Sequence, residues 1–246
     1  MKAYLFFCYI TLGVGLLLLS SCSTALYTPN TPMLPQLAHK GHTKLAASYG
    51  NFGGNINTAY GLTNDIGLML NGGLHNHERT ITDIFSTPQQ TVRNHKERMI
   101  EAALGYYKIL DGKGRWRFDF YGGGGVGRVS ERVPSNPLLQ IDGDYRKFFL
   151  LSGIGINTNL IDFSLGFRVS HLQTGLIQST DQTLNNKRFS GLCYEPTTML
   201  SIGWKQVKGF VQLSLLVPDN GADIPLFDLD AFIAARVGIS VDLHGH

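Results

Sequence analysis

Hydrophobic and polar residues alternate along most of the chain after residue 43. In "RWRFDFY", for example, Trp116, Phe118 and Phe120 share one parity, and mainly charged residues occupy the other. Successive side chains of a β-strand point to opposite faces, so a period of two indicates strands with one apolar and one polar face. No segment after residue 43 shows a sustained helical period with capping residues.

Ten segments of this kind follow one another. They cover roughly 43–51, 55–62, 66–77, 95–110, 114–130, 144–157, 161–173, 188–204, 208–217 and 228–244. Short turns at 62–65, 111–114, 157–160 and 205–208 alternate with longer links at 78–94, 131–143, 174–187 and 218–227. Only the first link, 52–54, is short where a long one is expected. This alternation predicts an up-and-down antiparallel meander with its tight turns at one end.

Five aromatic residues favour a membrane barrel over a soluble one. Each lies on the apolar parity of its strand and close to a short turn: Tyr60, Tyr106, Trp116, Phe163 and Trp204. Membrane barrels place such rings in a girdle at the interface, whereas a soluble barrel turns its apolar face inward. We therefore predict an all-β fold, an antiparallel up-and-down transmembrane β-barrel of about ten strands, formed by residues 43–246.

The N-terminal residues have the pattern of an export signal. Lys2 precedes an uncharged, mostly apolar run that extends to Leu19, which a transmembrane anchor would also explain. The sequence "LSSC" that ends at Cys22 resembles the bacterial lipobox, in which the cysteine is acylated and becomes the new N-terminus. The resemblance implies that residues 1–21 are removed and that Cys22 carries lipid such as palmitate. Cys193 is then left alone, which excludes an internal disulfide.

Residues 22–42 predict an extended tether, because they contain three prolines and no apolar period. A lipobox, a proline-bearing tether and a barrel, in this order, resemble the small outer-membrane β-barrel proteins of Gram-negative bacteria that carry a lipoprotein signal peptide. The resemblance implies an outer-membrane protein in contact with outer-membrane lipid, with its lipid anchor in the periplasmic leaflet. The tether would then fold back along the periplasmic rim. The last strand departs from this pattern, since it ends on "SVDLHGH" instead of an aromatic residue.

Charged residues on the inward parity predict a closed lumen. They are Glu101, Arg117, Asp119, Asp162, Arg168, Glu195, Asp230 and Arg236. In a barrel of ten strands these side chains would meet as ion pairs and leave little free width. The pattern favours a plugged barrel over a channel.

Three further motifs suggest chemistry, and each lacks part of its context. Gly122, Gly124 and Gly127 match G-x-G-x-x-G, but they lie within a predicted strand that no helix follows, so they do not predict a nucleotide site.

His75 and His77 share a face and could bind a metal with Glu78, or with His95 across the loop. An exposed loop pair is the favoured interpretation of these histidines.

An enzyme is the third possibility. "SHLQTG" (170–175) resembles the H-x-S-N-x-G motif of barrel-type lipid A deacylases through His171. Gln173 occupies the position of the nucleophilic serine, however, and Ser170 lies on the opposite face, so the hydroxyl that acyl transfer needs is missing. The sequence predicts neither an enzyme nor a cofactor.

The remaining prediction concerns function. A net charge of +3 is too balanced to indicate a nucleic-acid partner. We expect a lipid-anchored barrel with a structural or interaction role in a membrane complex, whose tether docks a periplasmic or membrane protein. A lipid A deacylase and a narrow pore are the alternatives.

Overall fold

The computed structural model describes residues 30, 32–82, 90–133, 136–180, 185–204, 206–219 and 232–243. All regular structure in these ranges is β-strand. No helix in the described part of the chain is long and apolar enough to cross a membrane.

Eleven strands follow one another within the described ranges. They are β1 (Thr43–Gly50), β2 (Gly53–Gly61), β3 (Ile66–Thr82), β4 (Gln90–Ile109), β5 (Trp116–Val133), β6 (Asn136–Asn157), β7 (Ile161–Thr174), β8 (Gln178–Ser179), β9 (Ser190–Trp204), β10 (Val207–Pro218) and β11 (Phe232–Leu243).

Ten of these strands form a closed antiparallel barrel. Each long strand pairs with the next one along the chain, β5 pairs with β6, and β1 closes the ring on β11 from Thr43↔Leu243 to Gly50↔Arg236. The two-residue β8 adds only a short pairing to β6. The predicted all-β, up-and-down barrel of ten strands is confirmed.

The connections define two ends of the barrel. The short-turn end carries the links 62–65, 110–115, 158–160 and 205–206, and the long-loop end carries the others. At the long-loop end the strands run further than predicted: β3 and β4 remain paired to Thr82↔Gln90, and β5 and β6 to Val133↔Asn136. The sequence there is polar at most positions, so it lacks the apolar alternation that marks a membrane-facing strand.

The side chains of the barrel divide cleanly between its two faces. On β7, Asp162, Ser164 and Arg168 are buried inside the barrel, whereas Phe163 and Leu165 are exposed outside. On the other strands most exposed side chains are large and hydrophobic and many buried ones are polar or charged, although Tyr107, Phe149 and Leu151 are buried inside. A polar interior inside an apolar outer face is the arrangement of outer-membrane barrels.

Candidate functional site

The lumen contains the N-terminal segment of the chain. Residues 30 and 32–37 are buried, and Leu34 and Leu37 pack against Tyr107, Tyr121 and Leu151 of the barrel wall. The chain enters at the short-turn end, near His42, and reaches Asn30 about halfway along β4 and β7. We call residues 30 and 32–42 the plug. The sequence led us to expect this part of the tether along the periplasmic rim, and the described residues show that this expectation is wrong.

Side chains of the wall satisfy the backbone of the plug. The backbone N–H of Gln36 donates to Oδ2 of Asp119 (2.9 Å), and its carbonyl accepts from Arg117. The carbonyl of Pro32 accepts from Nε2 of Gln212 (2.6 Å), and that of Asn30 accepts from Arg168. Because an unpaired backbone group buried away from water is costly, these bonds allow an extended peptide to lie inside the barrel.

Arg117 and Asp119 were expected to form ion pairs with other inward-facing charges, and both instead bind the backbone of the plug. Both bind the same residue, Gln36, whose φ of 51° lies in the left-handed region that non-glycine residues rarely adopt. The two side chains hold the plug at this point.

Inward-facing glycines make room for the plug. A Cβ on Gly153 would lie 2.4 Å from Cδ2 of Leu34, and one on Gly155 would lie 1.6 Å from Nε2 of Gln36. On β7, a Cβ on Gly166 would lie 2.8 Å from Leu34. The wall therefore has no side chains at the positions that the plug passes.

A buried ionic cluster lies at the inner end of the plug. Glu101 forms ion pairs with Lys147 and with Nη1 of Arg168 (3.4 Å), and Arg168 forms a second pair with Glu195. The hydroxyl of Ser170 donates to Oε1 of Glu195 (2.6 Å). All four charged side chains are almost fully buried. This cluster links β4, β6, β7 and β9 across the lumen.

Two further ion pairs lie at the short-turn end. Nζ of Lys208 lies 2.6 Å from Oδ1 of Asp162, and Nε2 of His42 lies 3.2 Å from Oδ1 of Asp242. The second pair joins the base of the plug to the last strand of the barrel. A cavity of about 950 Å³ opens beside these residues.

A third cluster surrounds Glu97 in the long-loop half of the lumen. Its carboxylate lies 3.4 Å from Nδ1 of His75 and 3.6 Å from Nε2 of His95, and it accepts a hydrogen bond from the hydroxyl of Tyr145. Arg236 lies beside His75, with 3.4 Å between Nη2 and Nε2. His75 was expected in an exposed loop pair, and this interpretation is wrong, because β3 continues past it and turns its side chain inward.

The metal hypothesis gains no support from these positions. Glu78 is exposed on the face of β3 opposite to His75, so it cannot share a metal ion with it. The backbone of His77 pairs with that of His95. Within the described ranges, no group of three or more His, Cys, Asp or Glu side chains could hold a metal ion.

The glycine-rich stretch lies inside β5, as its alternation predicted. On the inner face, a Cβ on Gly125 would lie 2.7 Å from Cγ of Glu101, and one on Gly127 would lie 2.3 Å from the ring of Tyr145. Gly125 and Gly127 let side chains of the neighbouring strands lie flat against the wall, whereas Gly122 and Gly124 of the motif lie on the outward parity and have no such inner-face contact.

The residues of the deacylase-like motif do not come together. His171 lies on the outer face of β7, whereas Ser170 is buried in the lumen with Glu195. Gln173, at the position of the nucleophile, is exposed outside.

The five predicted interface aromatics are all exposed on the outer face near the short-turn end: Tyr60, Tyr106, Trp116, Phe163 and Trp204. Asp230 and Cys22, the predicted lipidation site, lie outside the described residues. The remaining seven residues of the predicted lumen set all face inward.

Sequence reasoning missed several lumen residues, among them Lys147, Lys208 and Glu97. The plug was missed as well, although Gly153, Gly155 and Gly166 on inward positions were a signal that something else fills the lumen there.

Comparisons with known proteins give matches to solved structures but none to a protein family or a curated protein. Two solved structures of Acinetobacter baumannii proteins, CarO2 and CarO, are similar at 10% and 9% identity, with TM-scores of 0.30 and 0.31. The matches cover 82% and 83% of this chain and 98% of each of those chains. Because these scores are low, the fold assignment rests on the paired strands of this chain itself.

Proposed function

We propose that this protein is a lipid-anchored barrel of the outer membrane that its own N-terminal segment closes, and that it serves as a structural or interaction component of a membrane complex. The observation that carries the proposal is the buried plug, whose backbone is hydrogen-bonded to the wall. We expect a lumen filled in this way to block the passage of solutes.

Planar bilayers test whether the barrel is closed. We expect the full chain, reconstituted after purification from membranes, to show no regular conductance steps. Stable, repeated openings of the wild-type protein would favour the narrow pore instead.

Unchanged lipid A mass spectra with and without the protein are the expected result for a protein that is not a deacylase.

Mass spectrometry of the mature N-terminus tests the lipid anchor. "LSSC" supports acylation at Cys22, and we expect the N-terminal peptide to carry fatty-acyl chains that Cys22→Ala abolishes. An unmodified N-terminus upstream of Cys22 in the wild type would refute it.

The leaflet that holds the lipid is a separate question. The sequence predicts the periplasmic leaflet. The plug, however, runs from His42 at the short-turn end towards the centre of the barrel, which favours an anchor on the long-loop side. Protease treatment of intact cells separates the two, since only a peptide on the outer side becomes accessible.

The role in a membrane complex is a prediction from the sequence, and crosslinking tests it. Crosslinking in native membranes is expected to give the same neighbouring protein in repeated experiments. A protein that migrates alone under mild solubilisation and yields no reproducible crosslink would contradict this role.

A further inference from the structure

Three arginines lie on the outer face of the barrel, in its long-loop half. They are Arg98 on β4, Arg128 on β5 and Arg146 on β6, and all three are exposed. The residues beside them along each strand face the lumen, so the arginines point away from it. They are not part of the ionic clusters inside the barrel.

The strand register brings these arginines together. Arg98 lies directly opposite Arg128, and Arg146 follows in the adjacent row, opposite Val126. Arg188 reaches the same place from the segment before β9, and the four arginines line an open groove of about 1090 Å³.

The groove contains a single carboxylate, Asp144, among its lining residues. It lies opposite Arg128, 3.7 Å from Nε, and both side chains are about three-quarters exposed (72% and 75%). An exposed pair of this kind contributes little stability, and Asp142 also interacts electrostatically with Arg128. Like charges directly opposite each other on neighbouring strands are unfavourable, so a further anion beside the arginines would stabilise the arrangement.

The position of the groove identifies the kind of anion. Towards the short-turn end, the next outward residues are apolar and exposed: Ile100, Val126, Phe148 and Leu150. The arginines therefore lie where the apolar band ends, at the level of the lipid head groups on the long-loop side. The acyl chains of an anionic lipid at this depth can lie against the apolar band, which a soluble anion does not use.

We propose that this groove binds the phosphate groups of an anionic lipid in the leaflet on the long-loop side. The planar guanidinium group binds phosphate through two parallel hydrogen bonds, which makes arginine suited to this role. The inference rests on the barrel spanning a membrane and is independent of whether the lumen conducts.

Native mass spectrometry of the full chain in nanodiscs tests the proposal. The discs contain phosphatidylcholine with a small fraction of either diphosphorylated lipid A or the same glycolipid after dephosphorylation. The test variant is Arg98→Gln with Arg128→Gln and Arg146→Gln. The control carries Lys108→Gln, Lys113→Gln and Arg115→Gln, three exposed basic residues at or near the short-turn end.

We expect the wild type and the control to retain diphosphorylated lipid A, and the test variant to lose about a hundredfold or more in affinity, since each charge-assisted contact contributes about tenfold. The dephosphorylated glycolipid should bind the wild type and the test variant equally weakly. Equal retention by the test variant, or equal binding after dephosphorylation, overturns the proposal. Competition by millimolar inorganic phosphate would also overturn it, because the groove would then be a site for a soluble anion.

Discussion

The two halves of the lumen are filled in different ways. In the short-turn half, the plug occupies the centre, and Leu34 and Leu37 pack on the wall. In the long-loop half, side chains of the wall fill the space, with Glu97 bonded to His75 and lying near His95. Glycines on the inner face serve both arrangements: Gly153 makes room for the plug, whereas Gly127 makes room for Tyr145.

This difference shows that a ten-stranded barrel needs more than the alternation of its strands to close its interior. Charged side chains long enough to meet across the lumen fill one half. In the other half, glycines such as Gly153 and Gly155 leave space beside the charged side chains, and an inserted peptide supplies the missing volume. Displacing the plug and removing a charged side chain of the wall should therefore have different consequences.

Blocking the space for the plug should have the largest effect. Gly153→Leu combined with Gly155→Leu places side chains where Leu34 and Gln36 now lie. Both plug residues are fully buried, and the added side chains would overlap them, so we expect the plug to leave the lumen. Planar bilayers should then show conductance steps that the wild type lacks.

The matched control is Gly209→Val. This glycine faces outward, and a Cβ there would lie 3.8 Å from the nearest atom. The Gly209→Val variant should show no conductance steps. A double variant that keeps the heat-modifiable gel mobility of a folded barrel and is still silent would mean that the plug does not close the pore.

Breaking the buried ionic cluster should cost the next largest amount. Arg168→Met leaves Glu195 buried without a cation, and the loss of one partner of a buried pair costs about 3–5 kcal/mol of unfolding free energy. Arg128→Gln, which breaks the exposed pair with Asp144, should cost less than about 1 kcal/mol. Urea unfolding in detergent gives both values.

Adding Glu195→Gln to Arg168→Met provides a further test. It removes the unpaired charge, so it should restore part of the lost stability. If Arg168→Met and Arg128→Gln lower the unfolding free energy by the same amount, the buried cluster contributes no more stability than the exposed pair.

The strands and the inner charges could be predicted from the sequence because a membrane barrel requires strict alternation. Arg168 and Glu195 fall on inward positions of strands whose outward residues are apolar, so their parity was unambiguous. Lys147 was missed for the opposite reason. Around it β6 is apolar on both faces, with Phe148 outside and Phe149 inside, so the period of two does not show which face is the lumen.

The plug could not be predicted in the same way. Its place depends on contacts with residues far away in sequence, such as Asp119 and Gln212, and no local period reports them. Three prolines and the absence of a period correctly indicated extended backbone, but they are equally compatible with a peptide outside the barrel. Gly153 and Gly155 carried the information, since a lumen with missing side chains must be filled by something else.

Arginine substitutions on the outer face test whether the cost of a charge depends on its depth in the membrane. Leu165→Arg places a charge in the apolar band and should cost about 2–4 kcal/mol, whereas Trp204→Arg, at the end of β9, should cost about 0–1 kcal/mol. Both residues are exposed outside the barrel, so packing inside it is unaffected. The measurement is equilibrium unfolding in lipid bilayers. Equal costs would show that the two positions do not lie at different depths in a membrane.

The smallest effect is expected at the turn between β4 and β5. Oδ1 of Asp111 accepts a hydrogen bond from the backbone N–H of Trp116 (2.8 Å), and this bond holds the pKa of the carboxyl below its ordinary value. A lowered pKa means that the stabilisation is present at neutral pH and is lost as the pH falls through the folded-state pKa. Asp111→Asn keeps an acceptor oxygen but no charge, so it should slightly lower the thermal midpoint at pH 7 and leave it unchanged once the wild-type carboxyl is protonated. Thermal unfolding of both proteins across the acidic range measures the difference, and a gap that persists at low pH would assign the effect to the shape of the turn instead of its charge.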